Sequence, residues 1–189
     1  MSSKFFNNDT GHTLFDKLKG IACNMANFNR FLAVVGFFRS SGYFKLRKEL
    51  NDVEEIKILV GINIDDIFRR HNKAMLMLEN EEKAKMVYDE EFRQDIINAR
   101  YAPEVEEGIL QMCQDLVDGR LQMKIHATKN LHAKFYLCLP QNHNENSDGW
   151  VIMGSSNISD SGLGTSRSPR YELNVAMKDF DDVDYCHSE

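Results

Sequence analysis

Two strand-like segments, the apolar run FLAVVGFF at 31–38 and EIKILVGI at 55–62, constrain the fold more than any other feature of the chain. The first is apolar at every position, as expected of a strand covered on both faces of a sheet. Between them lie Ser40-Ser41-Gly42 and a segment with Leu46 and Leu50 at helical spacing. Strand, helix and strand in that order predict a parallel pair joined by a right-handed crossover. Such a unit needs a layer of helices to cover it.

The rest of the chain supplies one. Thr13-x-x-Asp16 resembles a capping box, and Leu14, Leu18, Ile21 and Met25 share one face of a helix that should end before Asn29. From Glu79 to Asp118 dense charge with scattered apolar residues reads as two helices. In the second, Pro103 suits the first turn, Val105, Ile109, Met112 and Leu116 form a stripe, and Gly119 stands at the C-terminal cap. Strands resume at 121–127, 131–139, 150–154 and 171–177, with a hairpin-like loop, QNHNENSDG, at 141–149. The expected class is α/β, a sandwich with a largely mixed sheet. Residues 1–11 read as an N-terminal tail, 12–178 as the domain with 79–118 a helical insertion, and 179–189 as an acidic tail or linker to a further domain.

A chain of 189 residues, 42% of them hydrophobic and only three of them proline, can bury about 70% of its unfolded surface without disulfides or a structural metal. Cys23, Cys113, Cys138 and Cys186 are scattered, none at zinc-ligand spacing. The N-terminus lacks a signal-peptide core, and no run is long and apolar enough to span a bilayer. A reduced, cytoplasmic protein is the expectation. The net charge of −6 at first argues against a nucleic-acid partner. It is unevenly spread, however: 4 Lys and Arg face 12 acids in 79–118, whereas 6 face 3 in 119–171. The acidity belongs to the helical insertion and the tail.

That locally basic stretch holds the chemistry. In LHAKFYLCL, Leu131, Ala133, Phe135, Leu137 and Leu139 alternate on one face, so His132, Lys134, Tyr136 and Cys138 share the other. An imidazole and an ammonium side by side suit an anionic substrate, although a half-exposed strand with polar residues toward water would read the same. The next strand ends in Gly154-Ser155-Ser156-Asn157, a small-residue turn able to face a phosphate oxygen. Beyond it come Gly162, Gly164, Arg167 and Arg170, then Glu172 and Asn174 at alternate positions of a strand. His126, His143, His71 and His12 carry less weight; His143 and His71 read as surface residues, and Cys138 as structural.

His132-Ala133-Lys134 followed by Gly154-Ser155-Ser156-Asn157 resembles the signature of the phospholipase D superfamily. The continuations NISDSGLG and YELNVAM look most like its single-motif nuclease branch, found in certain restriction endonucleases and at the N-termini of bacterial helicase-like proteins. The resemblance spans residues 12–178 and implies a phospholipase D-like α-β-α sandwich. The full signature also has an Asp after four residues beyond the Lys, and that place is Leu139 here; Glu172 is the candidate to orient the imidazole instead. The resemblance implies a metal-independent phosphodiesterase acting on DNA without a cofactor. His132 would form a phosphohistidine; Lys134, Asn157 and Ser155 would hold the phosphate oxygens, with Ser156, Arg167 and Arg170 assisting. One His-x-Lys motif supplies only one histidine, so a homodimer sharing one active site is implied. A helicase domain on the same parent chain is implied by resemblance alone. The rival reading is a non-catalytic dimerisation or DNA-binding module that keeps the fold. A lipid-directed enzyme is disfavoured by the single motif and the lack of a membrane segment or a basic amphipathic helix.

Overall fold

The computed structural model describes residues 4–61, 103–126, 131–167 and 170–189. The described strands are β1 (Phe5–Asn7), β2 (Phe28–Val35), β3 (Glu55–Gly61), β4 (Leu121–His126), β5 (Phe135–Pro140), β6 (Trp150–Gly154) and β7 (Leu173–Met177). The described helices are α1 (Leu14–Asn24), α2 (Ser40–Glu49), α3 (Pro103–Val117) and α4 (Phe180–Ser188). All the described strands join one mixed sheet in the order β1-β7-β6-β5-β2-β3-β4. The pair β2–β3 is parallel, as the strand-helix-strand reading requires; β3–β4 is parallel as well, and the remaining pairs are antiparallel.

Helices cover both faces. On one, Leu14, Leu18 and Ile21 of α1, Tyr43, Phe44 and Leu46 of α2, and Met112 of α3 close over Phe31, Ala33, Val35, Ile56, Ile58, Tyr136 and Cys138. On the other, Val183 and Cys186 of α4 pack on Leu137, Leu139 and Val151. β5 is therefore buried on both sides, not half-exposed. The capping box on α1 forms as expected: Thr13 Oγ1 accepts from the Asp16 amide and the Asp16 carboxylate accepts from the Thr13 amide, each at 3.1 Å.

Four expectations shift. Phe5–Asn7, set aside with the tail, is an edge strand paired with β7, held by backbone ladder bonds that leave no side-chain pattern to read. Residues 180–188, read as a tail, form α4, whose Asp181 and Asp182 suit a helix N-terminus and whose Val183 and Cys186 lie one turn apart. On α3 the buried stripe turns toward Asp115, which is 2% exposed, while Leu116 faces water. Asp115 is buried because Arg47 meets it with two hydrogen bonds, Nε to Oδ2 at 2.5 Å and Nη2 to Oδ1 at 3.0 Å, and Tyr43 donates a third at 3.2 Å. His143 is not a free surface residue: its ring stacks on Phe180 at 5.2 Å and meets His187 edge-on at 6.2 Å. His71, the first of the two helices expected in 79–118, and the ends of the expected strands at Ile62 and Ala127 lie outside the described residues.

Candidate active site at one edge of the sheet

Strand direction gathers the candidate residues. β2 and β3 run toward one edge of the sheet, β5 starts there, β6 ends there, and β7 starts there. That edge lies outside the carboxyl ends of the parallel strands, where α/β sheets leave a crevice. Along it stand Gly36, the segment 131–134, the turn 154–157 and Glu172. Residues 131–134 precede the ladder, which starts at Phe135. Their departure from the sheet is what frees His132 and Lys134 from the core that Tyr136 and Cys138 enter.

Glycines make room for this approach. A Cβ at Gly61 would lie 2.7 Å from the Leu131 carbonyl oxygen, and one at Gly36 would point to that oxygen at 3.1 Å with Asn157 Oδ1 and Lys134 Nζ each at 3.6 Å. A Cβ at Gly154 would fall 2.2 Å from Asn174 Oδ1, and one at Gly162 would fall 2.2 Å from the Asn157 carbonyl. The turn can fold back on itself only with glycine at both places.

Lys134 Nζ lies 3.2 Å from His132 Nδ1 and donates to the His132 carbonyl oxygen at 2.9 Å. An ammonium has only donors, so Nδ1 accepts and the neutral ring carries its proton on Nε2. Asn157 Oδ1 accepts from the Phe37 amide at 2.9 Å. That bond fixes which way the amide points and leaves its NH₂ without a partner among the described residues. Glu172 accepts a short hydrogen bond from Ser155 Oγ, which in turn accepts from the Leu173 amide at 3.1 Å. The carboxylate thus meets Ser155, and no hydrogen bond joins it to His132 among the described residues. It is also felt by Tyr136, whose phenol is pushed up by burial first and by the Glu172 charge second.

Ser156 departs from the expected set. It is fully buried, its hydroxyl accepts from Asn174 Nδ2 at 2.9 Å and its carbonyl accepts from the Tyr136 hydroxyl at 2.8 Å. Its side chain faces inward, where it holds the turn. Arg167 and Arg170 are exposed, and Arg170 is tied by its backbone, the N–H to Ser161 Oγ and the carbonyl to Asn8 Nδ2. No hydrogen bond brings either guanidinium to His132, Lys134 or Asn157 among the described residues. Leu139, in place of the signature Asp, is buried in the α4-side core. Cys138 is buried and burial pushes its thiol up, which suits packing rather than nucleophilic chemistry.

Sequence reasoning passed over Phe37 and Arg39. Both sat in or beside an apolar run read as strand, yet β2 ends at Val35 and Phe37 lies 43% exposed next to Asn157. Among the described residues no group of three His, Cys, Asp or Glu side chains could hold a metal ion, and no described helix is long and apolar enough to cross a membrane.

No family model matches the chain, and no curated protein matches its sequence. Among solved structures it is similar to TrmBL2, an archaeal chromatin protein described with a novel mode of DNA binding, at 12% identity and a TM-score of 0.45 over the whole of this chain and 50% of that one. It is also similar to a mutant of yeast tyrosyl-DNA phosphodiesterase 1, at 11% identity and a TM-score of 0.44 over 91% of this chain and 31% of that one. The chain thus spans half or less of the length of either.

Proposed function

We propose that this chain is a phosphodiesterase module of the phospholipase D type acting on DNA, working as a homodimer through a phosphohistidine. The observation that carries the reading is that Lys134 Nζ lies 3.2 Å from His132 Nδ1 and shares with Asn157 Oδ1 the space beside Gly36. An imidazole, an ammonium and an amide so grouped would supply a nucleophile and two donors for non-bridging phosphate oxygens. The excess of Lys and Arg over acids in 119–171 suits the same substrate.

Nε2 of one His132 attacks phosphorus, a P–N bond forms and the P–O bond to the leaving group breaks. The leaving oxygen takes a proton from the imidazolium of His132 of the partner subunit. Water then attacks the phosphohistidine and gives its proton to that now-neutral ring, and the P–N electron pair returns to Nε2. For the attack Nε2 needs its lone pair, whereas the Lys134 contact holds the proton there. A bound phosphate would draw the Lys134 ammonium onto an oxygen and release Nδ1 to take the ring proton. Glu172 would act on the site through Ser155. The helicase or restriction-type parent chain belongs to this reading as its expected context.

One observation favours a second reading, a module that binds DNA without cutting it: the described carboxylate of the site is engaged by Ser155 while His132 pairs with a cation. Incubation with single- and double-stranded DNA in excess EDTA, beside His132→Ala, separates the two. Cleavage by the wild type that the variant loses is expected; no cleavage, or equal cleavage, leaves the binding module. Solution mass tests the shared site, since a strict monomer at assay concentration lacks its general acid.

A further inference from the structure

We infer that Phe37 and Arg39 form a stacking step for an unpaired base beside the phosphate site, so that the substrate is single-stranded DNA. The inference rests on the phosphodiesterase reading for its phosphate and on separate observations for its base.

Phe37 is an aromatic ring left in water where the chain leaves the sheet. Its neighbours explain why it stays there. Phe38 is buried against Tyr43, with ring centroids 6.0 Å apart, and bridges to Ile158. The Arg39 amide donates to the Ile158 carbonyl at 2.8 Å. With Phe38 turned inward and the Phe37 amide pinned to Asn157 at 2.9 Å, alternation puts the Phe37 ring outward on the site's own rim. The Arg39 guanidinium lies over the ring, 4.5 Å from its centroid. A planar cation on an aromatic face makes a flat, positively charged step.

The position matters as much as the composition. Asn157 links the two parts: its Oδ1 holds the Phe37 backbone and, like Lys134 Nζ, lies 3.6 Å from where a Cβ at Gly36 would stand. A phosphate on Lys134 and Asn157 therefore has an aromatic plane one residue away. Tyr171, 77% exposed, stands beside Glu172 on the same edge of the sheet. Aromatic planes interleaved with cations along a backbone-binding edge are the means by which proteins hold single strands, since every base offers a face to stack. Bases paired inside a duplex do not.

The test measures fluorescence anisotropy in the His132→Ala background, which keeps the strands intact. Three probes of about 12 nucleotides are compared: an all-thymine strand, the same length with abasic sites throughout, and a hairpin duplex. The thymine strand should bind about tenfold more tightly than the abasic strand, and more tightly than the duplex. Phe37→Ala should abolish that ratio, while Phe37→Trp should keep it and show indole emission quenched by the thymine strand and not by the abasic one. Equal binding of thymine and abasic strands, a ratio untouched by Phe37→Ala, or no binding of any probe would overturn the inference. Its failure is distinct from that of the phosphodiesterase reading: His132-dependent cleavage with no base dependence sinks only the stacking step, and base-dependent binding without cleavage sinks only the chemistry.

Discussion

Lys134 Nζ bridges two atoms of one residue, lying 3.2 Å from the His132 ring at Nδ1 and donating to the His132 backbone at 2.9 Å. The ammonium therefore sets the tautomer of the ring. Nitrogen-15 spectra of the free protein should place the neutral ring proton on Nε2, and addition of a phosphate analogue such as vanadate should move it to Nδ1. Lys134→Met should lose the tautomer bias and lower cleavage by about 10²–10³, the usual cost of one preorganised donor to a developing oxyanion. A free protein already carrying the proton on Nδ1 would contradict the assignment.

The buried pair of Arg47 and Asp115 ties α2 to α3. Burial of Asp115 by itself raises its carboxyl, but the hydrogen bonds and charge of Arg47 outweigh that and hold it below the usual carboxylate range. A lowered carboxyl stabilises the fold above its unfolded value near pH 4, and that contribution is lost as pH falls through the lowered folded value. Asp115→Ala strands a buried guanidinium and should cost about 3–5 kcal/mol in urea unfolding. Replacing Arg47 by Met as well should recover part of the loss, and a double variant as unstable as the single one would argue that packing, not charge, is at stake.

How much of this was legible in the sequence follows from the range of the forces involved. The α1 cap and the parallel pair β2–β3 are written in local period and in capping chemistry. What escaped depends on partners distant in sequence. Asp115 reads as a surface charge until Arg47, 68 residues away, folds against it. Phe5–Asn7 has a strand's place only because β7 offers it an edge. Phe37 reads as strand because nothing local says that the chain leaves the sheet at Gly36; that is set by Leu131 and Asn157. Glu172, the candidate to orient the imidazole, accepts from Ser155, a contact that strand period alone does not specify.

Two glycines should respond in opposite senses to the same substitution. Gly20 lies inside α1 with nothing within 4 Å of a Cβ, so Gly20→Ala should stabilise the fold by about 0.5–1 kcal/mol through backbone entropy. At Gly154 a Cβ would strike Asn174 Oδ1 at 2.2 Å and the Leu173 carbonyl at 2.4 Å. Gly154→Ala should cost about 1–3 kcal/mol and displace Ser155 and Asn157, so cleavage should fall further than the fraction unfolded explains. Thermal midpoints of both variants, read with activity per folded molecule, decide it; a neutral Gly154→Ala would mean that the β6–β7 edge is loose.

The seat of α4 should be sensitive to acid. His187 stands in its last turn, edge-on to His143, which stacks on Phe180. Burial lowers the His187 imidazole first, and the positive charges of Arg30 and His143 lower it further, against the weaker pull of Asp184 and Glu55. A lowered imidazole binds fewer protons folded than unfolded, so its contribution is whole above the unfolded value near pH 6.5 and is lost as pH falls toward the lowered folded value. Amide exchange in 180–188 should therefore quicken below about pH 6.5 before the rest of the sheet opens. His187→Gln should flatten that dependence while leaving Val183 and Cys186 packed on Leu137, Leu139 and Val151. If the variant keeps the full acid dependence, the titrating group lies elsewhere.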